Sequence, residues 1–294
     1  MKSGFPVEIE VINACMMKRI PMMPSMRYEY QGDLREIDVL AYLESASSSP
    51  KENQQYTSTE LIIECKKSES KPWVFFSANL GHLLTMPQVG FVKYYSDFNA
   101  YFEKIGERSL LGQIAHKLKN NHYNDSTIPR CITYCEAFRD QNTRENNIYS
   151  AIESVLSFLS WDIDWRSESS DELGDFSTFY FPVIVLDGEL LEAKQQGNGL
   201  SVRRRNHIQL RAIFDRGKVF IIDIVRKNHF ATYLQMIEED HKEFVSSIGK
   251  LTLKPAHRAK MKLHADHRFR VLAKQIPLSF PEAEMPQMPR RLVR

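Results

Sequence analysis

Three charged side chains lie in two otherwise apolar stretches of the sequence, where charge is costly to place. Asp38 is in GDLREIDVLAY (32–42), and Glu64 and Lys66 are in LIIECKK (61–67). Both stretches have the composition of β-strands. Strands disfavour Asp because its short side chain competes for main-chain hydrogen bonds and packs poorly on a pleated surface. A functional role would explain this placement.

The alternation of side chains along a strand predicts how these charges are arranged. Glu64 and Lys66 share one face of their strand, whereas Ile63 and Cys65 share the other. Asp38 is expected to face away from both of its apolar chain neighbours. If the two strands pair, Asp38, Glu64 and Lys66 converge at one end of the sheet. Two carboxylates and an ammonium are costly to bury as bare charges, and a divalent cation would offset much of that cost.

This set of groups suits the hydrolysis of a phosphodiester. Asp38 and Glu64 offer the hard oxygen ligands that Mg²⁺ prefers, and Mg²⁺ usually keeps several waters. A bound Mg²⁺ or Mn²⁺ activates water and neutralises charge on the phosphate. Lys66 is a compact cation that can orient the attacking water or stabilise the transition state.

Helical and strand patterns alternate along the rest of the chain, which predicts an α/β fold with a mixed sheet flanked by helices. We predict helices at 5–19, within 97–121, at 145–161 and at 230–248. Strands are predicted at 26–30, 33–42, 60–67, 71–77 and 128–138, with a tight turn at 31–33. Two hairpins are predicted, one with its turn at Asp187–Gly188 and one with its turn at 215–217.

The two charged stretches resemble segments of the PD-(D/E)XK nuclease superfamily, in particular those of archaeal Holliday-junction resolvases and type IV restriction endonucleases. The resemblance rests on Asp38 followed by the E-x-K of Glu64 and Lys66 on the next apolar strand. It covers residues 5–76, about a quarter of the chain. The strict Pro-Asp of the superfamily name is absent, because Ile37 precedes the aspartate.

The resemblance implies a restriction endonuclease-like fold and a Mg²⁺-dependent endodeoxyribonuclease, a hydrolase. In that superfamily the Asp and Glu bind the metal and the Lys assists the nucleophilic water, which assigns these roles to Asp38, Glu64 and Lys66. Cys65, between the last two, is included among the expected metal-binding positions. Many members also place a Glu on the preceding helix, which here would be Glu8 or Glu10.

Helical spacing favours Glu8 for that position. Glu8 and Glu10 are about 200° apart around a helix, so they cannot both face the sheet. The face through Glu8 also carries an apolar stripe, formed by Val11, Ile12 and Cys15, which should pack on the sheet. We therefore expect Glu8 to assist catalysis through a water that the ion retains.

Charge divides the chain into two parts. Residues 249–294 contain eleven Lys or Arg and three Asp or Glu, a balance of +8, whereas residues 1–248 contain 28 basic and 34 acidic residues. We therefore predict a nuclease-like domain at 1–248 and a basic C-terminal extension at 249–294 that suits a polyanion such as DNA. A solvated basic helix remains an alternative for the extension.

Composition also constrains the cellular setting. The longest apolar runs are too short to span a bilayer, and the N-terminus lacks the pattern of a signal peptide. Four cysteines at irregular positions do not suggest a disulfide framework, so we expect a cytoplasmic protein without membrane contact.

The predicted activity is cleavage of DNA in restriction, phage defense or repair. Two other functions remain open: a nuclease-fold subunit of a larger defense complex, and a non-catalytic nucleic-acid-binding protein. A homodimer also remains open.

Overall fold

The computed structural model describes residues 5–46, 56–77, 125–137, 147–168, 176–214 and 218–248. Three helices lie in these ranges: α1 (Phe5–Met17), α2 (Asn147–Glu168) and α3 (Phe230–Ile248), the last preceded by a 3-10 turn (Lys227–His229). The strands are β1 (Met22–Tyr30), β2 (Asp33–Ala46), β3 (Tyr56–Ser77), β4 (Arg130–Glu136), β5 (Phe176–Gln196), β6 (Gly199–Arg204), β7 (His207–Phe214) and β8 (Lys218–Arg226). The helix predicted within 97–121 and the basic extension at 249–294 lie outside the described residues.

The strands form one mixed sheet in the order β1-β2-β3-β4-β7-β8-β5-β6, with an additional pairing of β3 with β5. β3 and β5 run parallel over almost their whole lengths, and β5 also runs parallel to β8. β2 and β3 are antiparallel, as are β3 and β4. β3 and β5, the two long strands, are therefore paired on both of their edges and form the middle of the sheet.

Each face of the sheet carries its own apolar cluster, because strand residues alternate between the faces. One cluster packs α1 and α3 on the sheet, with Val11 and Phe244 among its buried members. The other packs α2, with Val155 and Leu159 buried against strand residues such as Ile62. The prediction of an α/β fold with a mixed sheet between helices is confirmed. No helix within the described ranges is long and apolar enough to cross a membrane.

Two neighbours share one edge of β3, and they leave a gap between them. β2 pairs with β3 as far as the pair Val39–Ile63. β4 begins to pair only at Trp73, on the far side of a register shift that follows Ser68. Within the described ranges, residues 64–71 of β3 thus pair with no strand on this edge, whereas the Pro72 carbonyl accepts a hydrogen bond of 2.9 Å from the Ala137 amide just after β4. Glu64 and Lys66 lie at the start of the gap.

The structure corrects the predicted hairpin at Asp187–Gly188, because β5 continues through this pair without turning. A Cβ atom at Gly188 would lie 2.7 Å from the Ser68 carbonyl oxygen, so the glycine permits a close approach of β3 and β5. The predicted break between residues 67 and 71 is also wrong, since β3 continues through it with an irregularity in register.

Other predicted elements are confirmed with adjusted ends. β7 and β8 pair antiparallel, as the second predicted hairpin requires, although its turn at 215–217 lies outside the described residues. The turn between β1 and β2 has positive φ angles at Gln31 and Gly32, consistent with the tight turn that was predicted. β1 begins at Met22, four residues earlier than the pattern suggested.

Candidate active site

Asp38 lies at the point where β2 and β3 stop pairing. Its Oδ2 accepts a hydrogen bond of 2.6 Å from the Cys65 main-chain amide. Burial raises the pKa of Asp38, whereas this hydrogen bond and the charge of Lys66 act in the opposite direction. The aspartate therefore satisfies a strand amide that has lost its partner strand, and its carboxylate lies beside β3.

Glu64 is the more deeply buried carboxylate, with 6% of the residue exposed. Its two oxygens are both hydrogen-bonded: Oε1 accepts from Lys66 Nζ at 2.6 Å, and Oε2 accepts from Ser154 Oγ at 2.7 Å. Burial and then repulsion from Asp38 raise its pKa to about 7, despite the opposing effects of Lys66 and Ser154. The two carboxylates thus repel each other, and a nearby positive charge stabilises their ionised forms.

Lys66 supplies such a charge from the same strand. Its side chain is 28% exposed, so the ammonium lies at the boundary between the buried Glu64 and solvent. Lys67, on the opposite face of the strand, forms an ion pair with Glu69 instead. The structure thus brings Asp38, Glu64 and Lys66 together at the gap beside β3, as the sequence predicted.

Glu8 lies on α1, which packs on the face of the sheet opposite to α2. Its Oε1 accepts a hydrogen bond of 3.3 Å from Ser25 Oγ, and Ser25 lies on β1 opposite Asp38. Burial and repulsion from Asp38 raise the pKa of Glu8. Glu10 accepts a hydrogen bond of 3.0 Å from Lys227 instead. The structure thus brings Glu8 toward Asp38 and directs Glu10 elsewhere.

Regular alternation fails at Asp38, in contrast to the expectation from the sequence. Ile37 is buried in the α2 cluster, whereas Val39 is buried in the α1 and α3 cluster. Ser25, opposite Asp38, has a φ of 50°, so β1 is also irregular at this point. Both strands are therefore irregular at this position, where the Asp38 carboxylate meets the Cys65 amide of β3.

Cys65 can contribute to a metal site only through its main chain. Its thiol is buried in the α1 and α3 cluster, and burial followed by the nearby carboxylates raises its pKa well above the ordinary value. The thiol is therefore a poor source of thiolate. Its amide faces Asp38, and in an extended strand the carbonyl of the same residue faces the same edge. This carbonyl adds one oxygen to those of the two carboxylates.

The donor set fits a hard divalent cation that keeps much of its water. Within the described ranges, no group of three or more His, Cys, Asp or Glu side chains is arranged to hold a metal ion. Two carboxylates, Asp38 and Glu64, with one main-chain oxygen match the habit of Mg²⁺, which is commonly bound through one or two carboxylates and several waters. The raised pKa of Glu64 fits the same interpretation, because a cation would favour its ionised form.

Ser154 was missed by the sequence reasoning, although its hydroxyl is hydrogen-bonded to Glu64. Only the apolar stripe of α2 entered the prediction. The polar residues Ser150, Ser154 and Ser157 recur at spacings of four and three, which also places them along one side of a helix. That spacing was the available signal. Which strand residue such a stripe meets depends on the tertiary fold.

Comparisons with known proteins give no relative for this chain: no family model, no curated protein and no solved structure matches it.

Proposed function

We propose that this protein is a metal-dependent endonuclease that hydrolyses phosphodiester bonds of DNA, with a restriction endonuclease-like fold of the PD-(D/E)XK type. The observation that carries the proposal is the meeting of Asp38, Glu64 and Lys66 at the unpaired edge of β3. The element order supports it: a helix, an Asp-bearing strand, a strand carrying E-x-K and a later helix that packs on the same sheet.

The cation would be Mg²⁺ or Mn²⁺, held by Asp38, Glu64 and the Cys65 carbonyl oxygen. When bound, it supplies Lewis acidity toward the phosphate and toward water. The protein's own contribution is to hold two carboxylates near one another in a partly buried place. Their burial and mutual repulsion, which raise the pKa of Glu64 to about 7, favour occupation by a cation.

Lys66 acts on the substrate and on water. Its ammonium has three donors, of which one is used by Glu64 Oε1. The others can donate to a water positioned for attack or to a non-bridging phosphate oxygen, where negative charge grows in the transition state. Its partial exposure lets it meet a polymer backbone at the surface of the protein.

DNA is proposed as the substrate from the resemblance and from the basic composition of residues 249–294. Cations in this extension would neutralise phosphates without reading sequence. The sequence shows no separate helix-turn-helix or zinc finger, so specificity would depend on DNA structure, modification or a partner. The proposed setting is the cytoplasm, in restriction, phage defense or repair, with the chain acting as a homodimer or as a subunit of a defense complex.

The test is to incubate the purified full-length protein with supercoiled plasmid, linear DNA and RNA, in the presence of Mg²⁺, Mn²⁺ or EDTA. We expect nicking or linearisation of plasmid with either metal and none with EDTA. Lys66→Ala should abolish cleavage. Lys67→Ala is the matched control, since it removes the adjacent ammonium from the opposite face, and it should cleave at nearly the parent rate.

A second class, a non-catalytic nucleic-acid-binding protein, gives a different result. It would bind DNA without cleaving it under any metal condition, and Lys66→Ala would change binding no more than Lys67→Ala does. Cleavage by the parent that persists unchanged in Lys66→Ala would refute the proposed mechanism.

A further inference from the structure

Ser154 differs from two neighbouring serines of α2 in where its hydroxyl is directed. Ser150 Oγ donates to the Asn147 carbonyl, and Ser157 Oγ donates to the Ser154 carbonyl, each at 3.1 Å. Such bonds to the preceding turn are the usual way for a helical serine to satisfy its hydroxyl. Ser154 Oγ instead donates to Glu64 Oε2 at 2.7 Å. A bond to a carboxylate is stronger than one to a neutral carbonyl.

The main chain of Ser154 is also held from the sheet. The Tyr28 hydroxyl on β1 donates to the Ser154 carbonyl at 3.3 Å and lies 2.8 Å from Ser157 Oγ. Tyr28 is itself buried, with its ring edge-on to Phe158 at 5.1 Å between centroids. α2 is therefore fixed to the sheet within one turn of the residue that contacts Glu64.

Lys66 and Ser154 each donate a hydrogen bond to a different oxygen of the Glu64 carboxylate. Lys66 donates to Oε1. The Lys66 ammonium is positively charged, so a bound cation could take its place beside this oxygen. Ser154 holds Oε2 through a neutral hydroxyl, which does not compete with a cation for charge. A partner of this kind can keep the carboxylate oriented whether or not a cation is bound, as outer-shell groups commonly do at metal sites.

We propose that Ser154 is a positioning residue, which orients the Glu64 carboxylate for cation binding through the hydrogen bond from its hydroxyl. This inference rests on the proposed function of the same site. It assigns to α2 a part in the site that neither the E-x-K sequence nor the two strands supply. The role requires a hydroxyl at this position and not merely a small side chain.

The experiment compares three variants of the full-length protein with the parent. Ser154→Ala removes the hydroxyl, Ser154→Thr keeps a hydroxyl, and Ser150→Ala removes a hydroxyl that serves only its own helix. Two quantities are measured: binding of Mn²⁺ in the absence of DNA, by titration calorimetry, and the position of the Glu64 carboxylate, by crystal structures of the parent and Ser154→Ala. We expect Ser154→Ala to weaken Mn²⁺ binding by roughly 10- to 100-fold. Ser154→Thr should recover most of the loss, and Ser150→Ala should bind as the parent does.

The outcomes separate this inference from the proposed function. If the Glu64 carboxylate keeps its position in the Ser154→Ala crystal, or if the parent binds Mn²⁺ and Ser154→Ala binds it equally well, Ser154 is not a positioning residue. An equal loss in Ser154→Thr would also overturn the role of the hydroxyl. If the carboxylate turns away in Ser154→Ala but neither protein binds Mn²⁺ nor cleaves DNA, the positioning by Ser154 stands and the nuclease proposal fails.

Discussion

The Cys65 amide donates a hydrogen bond of 2.6 Å to the Asp38 carboxylate. Both residues lie just past Val39 and Ile63, the last residues at which β2 and β3 pair. A carboxylate in this place ends the ladder without leaving a strand amide unsatisfied. The strands can then diverge, and the divergence makes room for a charged site beside β3. The feature that makes Asp a poor strand residue, its competition for main-chain hydrogen bonds, is used here to end the pairing.

Asp38→Asn should raise thermal stability in EDTA while abolishing cleavage. The asparagine retains an oxygen that can accept from the Cys65 amide, whereas its repulsion with Glu64 is lost. Burial raises the pKa of Asp38, so its charged form costs stability in the folded state at neutral pH. We expect the Tm to rise by about 2–4 °C, the shift that about 1 kcal/mol gives in a domain of this size.

The control for this measurement is Glu36→Gln, which removes an exposed carboxylate that pairs with Arg27 on the same hairpin. Its Tm should change by less than that of Asp38→Asn, because exposed ion pairs contribute little. Thermal unfolding followed by circular dichroism in EDTA makes the comparison. A Tm below that of the parent in Asp38→Asn would show that the aspartate stabilises the fold as an ordinary ion-pair partner.

Glu8→Gln should lower the cleavage rate by roughly 10- to 100-fold, the usual effect of losing a group that acts beyond the metal's own ligands. Glu8 accepts a hydrogen bond from Ser25, which lies opposite Asp38, and burial followed by repulsion from Asp38 raises the pKa of Glu8. These contacts place Glu8 on the side of the site from which we expect it to act through a water. Glu10→Gln is the matched control from the same helix, and its carboxylate is bonded to Lys227. Single-turnover rates on plasmid should therefore separate the two variants. Equal rates would remove Glu8 from the mechanism.

The site was more predictable than the topology, for reasons visible at particular residues. Glu64 and Lys66 could be grouped from alternation along β3, and Asp38 could be added because neighbouring strands in the sequence commonly pair, although alternation itself fails at Asp38. The pair Asp187–Gly188 predicts a turn, because it is a strong hairpin signal. In the fold, Asp187 instead lies 3.2 Å from Lys227 Nζ, and Gly188 meets the Ser68 carbonyl. Contacts made by distant residues overrode the local signal.

Ser154 could not be placed in the site from the sequence. α2 is separated from β3 by about 70 residues, and only the packing of α2 on the sheet shows that its Ser154 lies over Glu64. Periodicity gives the side of the helix on which a residue lies but not its height along the neighbouring strand. The same limit applies to Ser25, whose hydrogen bond to Glu8 depends on the irregular backbone of β1.

Deletion of residues 250–294 should weaken DNA binding and reduce its dependence on salt. All eleven Lys and Arg of the basic extension are removed, and each phosphate that is no longer neutralised should make the negative slope of log K against log [salt] shallower by about 0.9. Affinity should fall alike for unrelated sequences, because binding to phosphates carries no sequence information. Fluorescence anisotropy at several salt concentrations measures the slope. A folded truncated protein with the parent's slope would show that the extension does not bind DNA.

His241 should make the protein less stable as the pH falls from 6.5 toward 4. This residue of α3 is buried between two hydroxyls, with Nε2 at 2.9 Å from Ser45 Oγ and Nδ1 at 3.0 Å from Thr59 Oγ1. Burial and the charge of Lys242 lower its pKa to about 4. The folded state therefore resists protonation, whereas an unfolded histidine gains a proton near pH 6.5.

The unfolded chain binds more protons in this interval, so the stability that depends on neutral His241 is complete above pH 6.5 and is lost as the pH falls to about 4. The loss is at most about 3 kcal/mol at the lower limit. His241→Gln cannot titrate, so the difference in unfolding free energy between parent and variant should shrink over this range. Urea unfolding at pH 7.0, 5.5 and 4.5 measures this difference in unfolding free energy.

Lys242→Gln serves as the control, since it leaves the imidazole buried and should retain most of the loss of stability at low pH. If the curves of parent and His241→Gln run parallel, His241 does not cause the loss at low pH.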